Sequence, residues 1–279
     1  MMKLRKSVYS EMIRRFFLLS KVAFFVLLFS AHIHLAAAES YVCSAKVELR
    51  WERLSEVIDG DTIRLTGGEK LRVIAINAPE LGGGSRPAQA FSRQAKAAVV
   101  EFFGVSEKVG VQAGLDQRDR YGRLLAHVYR HDGVNLSEYL LGRGLAMQIL
   151  VPPNDAHWRC LEKVEVAARN ARLGVWQHPQ YQPKSAASLQ LSDSGFQRIE
   201  GTVNSVVRSG KGWWLEVGKL AVRIVDRDMR YFPGVVPGEW RGQKIRLRGW
   251  VINRSGSAAV KNKGYAALMM NLRHPVMMN

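Results

Sequence analysis

Only two cysteines occur in 279 residues, and no CxxC or HxxxH spacing accompanies either, so a structural zinc site has no framework here. Beyond residue 38 no apolar run approaches the ~20 residues that a bilayer-spanning helix needs. No GxxxxGK[ST] follows the glycines Gly82-Gly83-Gly84, which read as the flexible rim of a cleft and not as a phosphate-cradling loop. The chain is also poor in histidine, and His157 and His178 lack any partner at ligand spacing. A His-metal hydrolase and a Ser-His-Asp hydrolase therefore find no support, and His127 and His131 read as structural. The methionines Met269, Met270, Met277 and Met278 lack the spaced Met/His pattern of a copper site and are expected in a core and a frayed end. Acids are scarce as well: 24 Asp/Glu against 41 Lys/Arg give a formal net charge of +17.

What is present begins with a targeting signal. Lys3, Arg5, Lys6, Arg14 and Arg15 form a basic start, Val22 to Phe29 is uninterruptedly apolar, and Ala36-Ala37-Ala38 offers the small residues of a cleavage site. Residues 1–38 thus read as a signal peptide; an uncleaved N-terminal anchor is the competing reading, against which Lys21 interrupts the apolar stretch. Loss of these residues removes six Lys/Arg and one acid and leaves +12, an excess suited to a polyanion or an anionic surface. Export to the periplasm or the medium places Cys43 and Cys160 in an oxidising compartment, where an even pair is expected to form a disulfide. Two buried thiols are the alternative.

Composition changes between Trp176 and Gly195, where Gln, Pro and Ser dominate without apolar periodicity. The organisation expected is a domain over 39–176, a linker over 177–195 and a small domain over 196–279. In the first domain, Ser55 to Leu65 and Leu71 to Ile76 read as strands around the turn Thr66-Gly67-Gly68-Glu69. Lys108 to Ala113 and Leu124 to Arg130 make a second pair. Helical spacing runs over Pro87 to Phe103 with Pro in its first turn, over Leu136 to Arg143 behind a cap at Asn135, and over His157 to Leu173. The fold class expected is mixed β/α: a five-stranded OB barrel with three helices, followed by a small all-β, OB-like domain. In that second domain Trp213, Trp214, Tyr231, Trp240 and Trp250 are candidates to stack on bases, while Arg223, Arg246, Arg248 and Lys261 meet phosphates. The competing reading puts most of those rings in a core. No catalytic cluster lies there, so this domain is expected to extend a substrate track, and a chain ending near Tyr181 to keep its chemistry.

Three segments carry that chemistry: Val57-Ile58-Asp59-Gly60-Asp61-Thr62-Ile63-Arg64-Leu65, then Leu71-Arg72-Val73-Ile74-Ala75-Ile76-Asn77-Ala78-Pro79-Glu80, then Asp119-Arg120-Tyr121-Gly122-Arg123. Each places acids, amides or guanidinium groups at the end of an apolar strand. Together they hold oxygen ligands for a hard cation, a carboxylate to activate water and two arginines for a pentacovalent phosphate. In order and spacing, over roughly Val42 to Trp176, they resemble the staphylococcal nuclease (thermonuclease) family.

That resemblance implies a Ca²⁺-dependent nuclease acting on DNA or RNA, with 3′-phosphate products; the chain is expected to be a monomer. Asp61, the Asn77 side chain and the Ala78 carbonyl would hold the metal. Glu80, fixed behind Pro79, would orient or activate the water, with Arg72 and Arg123 as the other catalytic residues and Arg120 and Tyr121 on a flanking phosphate. The pattern departs from the family at Asn77, where Asp is usual, and at Ala78, where Thr is common. An amide in place of a carboxylate weakens a calcium site. No clear equivalent of a further substrate-binding tyrosine is found in Met147-Gln148-Ile149-Leu150. Asp59 reads as loop support. Two rivals remain from other classes: a nucleic-acid-binding protein with a weakened catalytic site, and a binder of anionic polysaccharide or cell surface, which leaves Glu80 unexplained.

Overall fold

Strict in–out alternation decides the first sheet. Ile63, Leu65, Leu71, Val73, Val109, Val111, Ala126 and Val128 are all at most 3 % exposed, and they point to one side of their strands, where only closure of the sheet can keep them from water. The computed structural model describes residues 43–84, 86–210 and 212–278; the expected signal peptide lies outside them. Strands β1 (Arg50–Val57), β2 (Thr62–Leu65), β3 (Lys70–Val73), β5 (Lys108–Arg118) and β6 (Leu124–Tyr129) form a closed barrel in the order β1-β2-β3-β6-β5. Every neighbouring pair is antiparallel except β3 and β6, which run parallel. Two short strands, β4 (Ile76–Asn77) and β7 (Met147–Gln148), pair beside it.

Three helices cover this barrel: α1 (Ser92–Phe103), α2 (Leu136–Gly142) and α3 (Trp158–Asn170). Asn135 caps α2, its side chain accepting from the backbone N–H groups of Ser137 and Glu138. The first helix starts later than its apolar spacing predicts. Phe91 takes a left-handed φ of 65°, and residues 87–91 are diverted into contacts with the loop after Pro79 described below. His157, at φ 62°, likewise stands just before α3. The ring of His127, in β6, is fully buried, edge-on to that of His157 at 4.8 Å. Withdrawal from water, aided by His157, holds its pKa down at about 3, so it stays neutral. Cys43 and Cys160 are disulfide-bonded, tying the segment before β1 to α3.

A second closed barrel follows, from β9 (Gly195–Arg208), β10 (Gly212–Val217), β11 (Leu220–Val225), β12 (Lys244–Asn253) and β13 (Leu268–Asn271). Its order, β9-β10-β11-β13-β12 and back to β9, repeats that of the first barrel, and again the third and last strands, β11 and β13, run parallel. This is the OB-like topology that the short strands and Gly-rich turns predict. A further short helix, α4 (Ala258–Lys263), lies between β12 and β13. Residues 177–195, expected as a linker, contain β8 (Lys184–Ser185), which adds to β9 in parallel, and Tyr181, whose hydroxyl donates to the Ala90 carbonyl at 2.6 Å.

Alternation along β12 puts Arg246 and Arg248 on one outward face, as predicted, but Arg248 is not available to phosphate. It is 1 % exposed, and its Nη1 donates to both carboxylate oxygens of Glu165 in α3 at 2.7 Å. Its Nε and Nη2 donate to the Val276 carbonyl. Glu165, itself 1 % exposed, also accepts from the backbone N–H of Gln148 in β7. This stretch of outer surface is covered by the first barrel's helix, which strand periodicity cannot report. The two barrels are therefore joined through buried charge. A protein cut near Tyr181 would strand Glu165 without its arginine, contrary to the expectation that the first domain stands alone.

Removing one partner of a buried pair leaves the other charge uncompensated, a loss of about 3–5 kcal/mol. Arg248→Met should lower the urea midpoint by that equivalent, and adding Glu165→Gln should restore most of it while keeping an acceptor for Gln148. A double variant no more stable than Arg248→Met alone would show that the pair is not what holds the barrels together.

Candidate active site

Gly60 occupies the turn from β1 to β2 because nothing larger fits. A Cβ there would stand 2.6 Å from the Ala78 Cβ and 2.8 Å from the Ala95 Cβ of α1. The turn is thereby pressed against both the end of β4 and the first helix. Asp59 accepts the Asp61 N–H at 2.9 Å, and the N–H groups of Ile58 and Asp59 both reach the Thr62 carbonyl. Asp59 thus supports the loop, as its sequence position predicts.

The Asp61 carboxylate then meets three donors. Its Oδ2 accepts the Ala78 N–H at 2.7 Å and pairs with Arg72 Nη2 at 3.0 Å. Its Oδ1 accepts the Thr62 hydroxyl at 3.1 Å. Arg72 projects from β3 directly opposite Thr62, which is why the pair closes. The same guanidinium donates to the Val73 carbonyl and, at 3.4 Å, toward Asn77 Oδ1. Asn77 Nδ2 lies 3.3 Å from the Ala78 carbonyl oxygen to which it donates. Asp61, Asn77 and Ala78, expected from the sequence as metal ligands, and Arg72, expected as a catalytic residue, are joined in one bonded cluster.

Electrostatics at Asp61 are opposed. Removal from water is the largest influence and raises its pKa; Arg72 and the Ala78 N–H pull it down, whereas the charges of Asp59 and Glu80 push it further up. The net direction is upward, because burial outweighs the pull of Arg72 and of the Ala78 N–H. Among the described residues no three His, Cys, Asp or Glu side chains gather at one point. A cation at this place would therefore draw on the neutral oxygens of Asn77 and Ala78 as well as on Asp61.

Glu80 is exposed, and its backbone is clasped. Its N–H donates to Gln89 Oε1 at 2.8 Å while its carbonyl accepts the Gln89 N–H at 2.9 Å. This clasp uses the residues that the helical spacing had assigned to the first turn of α1. Thr62 lies in the first segment without an assigned role, and Gln89 was not picked out at all, since a lone Gln in a loop gives no signal that could have found it.

The third segment forms a separate group on the β5–β6 loop. Asp119 organises it, accepting the N–H groups of Tyr121 and Arg123 at 2.9 and 3.0 Å and Arg123 Nε at 2.7 Å. Burial alone would push the Asp119 pKa up, but Arg123 and these N–H groups outweigh it and hold it low. The guanidinium of Arg120 lies 4.7 Å and that of Arg123 5.5 Å from the Tyr121 ring centre. Arg123 immediately precedes β6, whose Leu125 is paired with Arg72, so the barrel brings this loop alongside the strand that carries Arg72.

Residues 70–178 match a protein family described as Staphylococcal nuclease homologue. Among curated proteins, the thermonuclease of Staphylococcus intermedius is 28 % identical over 127 residues, 44 % of this chain and 74 % of that protein. The SPbeta prophage-derived endonuclease YokF of Bacillus subtilis (strain 168) is 34 % identical over 128 residues, 44 % of this chain and 43 % of that protein. The endonuclease YncB of the same organism is 33 % identical over 133 residues, 46 % of this chain and 62 % of that protein. The second barrel lies beyond the matched family segment.

A methyl group at position 60 cannot be accommodated without moving Ala78 or Ala95, and such overpacking costs about 1–3 kcal/mol. Gly60→Ala should lose stability in that range, read as a lower urea midpoint, and an unchanged midpoint would show that the Asp61 turn tolerates displacement.

Proposed function

Residues 70–178 being staphylococcal nuclease-like, we propose that this protein is an exported, Ca²⁺-dependent nuclease that hydrolyses phosphodiester bonds of DNA, RNA or both as a monomer. The observation that carries the reading is the bonded cluster of Asp61, Arg72, Asn77 and Ala78 beside the clasped, exposed Glu80. The donor set fits calcium in kind, since a carboxylate, an amide and a backbone carbonyl are all hard oxygens and leave positions for water and phosphate. Ca²⁺ bound there would supply charge neutralisation to the phosphate oxygens. Export agrees with the Cys43–Cys160 disulfide, and among the described residues no helix is long and apolar enough to cross a membrane.

The protein's own part in the reaction follows from which groups are committed. Arg72 uses three of its five N–H groups within the protein, leaving two for a phosphate oxygen while Asp61 fixes the guanidinium plane. Arg123 gives its Nε to Asp119, which leaves both Nη groups for the same phosphate from the other loop. Guanidinium groups held in this way meet charge that grows in the transition state without having to reorganise. Glu80, with only its backbone tethered, takes the proton of the attacking water. Arg120 and Tyr121 then contact the next phosphate along the strand.

A second reading, a nucleic-acid-binding protein with a weakened catalytic site, is favoured by one feature. Asn77 contributes no charge, and its amide is already shared between Arg72 and the Ala78 carbonyl. Purified mature protein incubated with plasmid and with RNA, in Ca²⁺ or in chelator, separates the two readings.

General-base help is commonly worth about 10²–10⁴ in rate. Glu80→Gln should lose at least tenfold in turnover with little change in substrate binding, and undiminished turnover would remove Glu80 from the mechanism. For the metal, Asn77→Asp should tighten Ca²⁺ and raise activity at limiting metal, because a charged oxygen replaces a neutral one. Calorimetry showing equal or weaker affinity in that variant would mean that Asn77 is not a ligand.

A further inference from the structure

Positive charge is divided very unevenly between the two barrels. Residues 39–195 carry 20 Lys/Arg against 18 acids, whereas residues 196–279 carry 15 against five. The part that holds the candidate active site is thus close to neutral, and nearly all of the excess that attracts a polyanion belongs to the other barrel.

On that barrel, β12 is not the free basic face. Arg248 is spent on Glu165, while Lys244 and Arg246 both pair with Glu200 at 3.6 and 3.1 Å. The neighbouring face differs. Leu215, Val222, Ile224 and Met270 turn inward and are fully buried, so Trp214 on β10, with Arg223 opposite it on β11, points outward. The Arg223 guanidinium lies 5.3 Å from the Trp214 ring centre and that of Arg254 lies 5.4 Å from it. Arg254 follows β12 and is braced by the Ala266 carbonyl at 2.9 Å. Neither arginine has an ion-pair partner among the described residues, and Arg223 Nε is buried with no acceptor. The acids nearby are already engaged: Glu216 accepts the Ser205 hydroxyl at 2.7 Å, and Asp226 accepts from Arg208 at 2.6 Å.

Guanidinium groups without counter-ions, interleaved with an indole, match a ligand that alternates phosphate with flat rings. A duplex hides those rings in its stack, and an anionic polysaccharide has none. Strands two and three of an OB barrel, with the loop that joins its last two strands, are the side of this architecture that receives oligonucleotides, and β10, β11 and Arg254 occupy those positions. Resting on the nuclease reading above, we propose that a single-stranded nucleic acid lies across the outer face of β10 and β11. Its bases stack on Trp214 and the flanking guanidinium planes, and its phosphates meet Arg223 and Arg254. The second barrel thereby holds the strand that the first one cuts.

The test uses the full mature chain in chelator, so that nothing is cleaved, with fluorescence anisotropy of a labelled single-stranded oligonucleotide over a range of salt. Trp214→Ala should weaken binding about tenfold, in line with the loss of one stacked base, while Trp214→Phe should stay within a few-fold of the parent. Arg223→Gln should make the dependence of log K on log salt shallower by about 0.7, one phosphate fewer on a single strand. An abasic strand of equal length should bind more weakly than one with bases, and the difference should vanish in Trp214→Ala. If Trp214→Ala fails to fold, Arg223→Gln, Trp214→Phe and the abasic strand still decide. Folded variants with parental affinity and salt slope, equal binding of abasic and complete strands, or a preference for anionic vesicles over the oligonucleotide would each overturn the proposal. Failure of the parent to cleave single strands in Ca²⁺ would count against the active-site reading and leave the binding result standing.

Discussion

Glu165 is the residue on which the arrangement turns. Its carboxylate is out of contact with water and meets Arg248 from the second barrel and the Gln148 N–H from β7. A buried ion pair seldom adds net stability over an apolar contact of the same shape, because both charges lose their hydration. What it adds here is a fixed relation between parts. Arg248 also binds the Val276 carbonyl near the C-terminus, so one side chain gathers a helix of the first barrel, a strand of the second and the closing segment. The neighbouring Arg198 lies across from Arg248 in the β9–β12 ladder. Its pKa is lowered to about 10, first by burial and then by Arg248 and Arg169, against the pull of Glu165. Glu165 thus carries the charge that offsets this group of arginines.

That relation reaches the candidate site through the backbone. Glu165 holds Gln148, and β7 pairs with β4, Gln148 opposite Ile76 and Met147 opposite Asn77. The strand that presents Asn77 is therefore steadied from below by a carboxylate whose own charge is balanced by the other barrel. The candidate site on the first barrel and the basic face of the second are thus tied to one another through Glu165. The division of charge has a similar consequence. On the nuclease reading proposed above, the acids Asp59, Asp61 and Glu80 would oppose an approaching phosphate, and a near-neutral first barrel would gain from a strongly basic neighbour that raises the local concentration of the strand.

Much of this was legible in the sequence. Period-two alternation marked the strands, Asn135 marked its cap, and the Asp-Gly-Asp-Thr, Asn-Ala-Pro-Glu and Asp-Arg-Tyr-Gly-Arg segments marked the residues that the fold gathers near one another. The even pair of cysteines marked the disulfide. Where the reading failed, the reason is that periodicity tells which face a residue is on and not what covers that face. Arg246 and Arg248 share an outward side of β12, yet one is exposed and the other sealed beneath α3. Glu165 looked like any acid on an amphipathic helix. Gln89 lay in a stretch whose apolar spacing continued a helix, and only tertiary contact with the Glu80 backbone draws it out of one.

The distribution of rigidity carries the final step. Asp61 is fixed by three donors, Gly60 is locked between two alanines, and Arg123 is held by an aspartate that also sets its loop. These groups would bind charge that is present throughout the reaction, and preorganising them spares reorganisation in the transition state. Glu80 differs: it is exposed and no side-chain bond holds it among the described residues, although its backbone is clasped on both sides. On the proposed reading, a group that would take a proton from water gains from that combination: the clasp sets where the carboxylate begins, and the unbonded side chain would be able to follow the proton, inside a frame of fixed charges that would not have to reorganise.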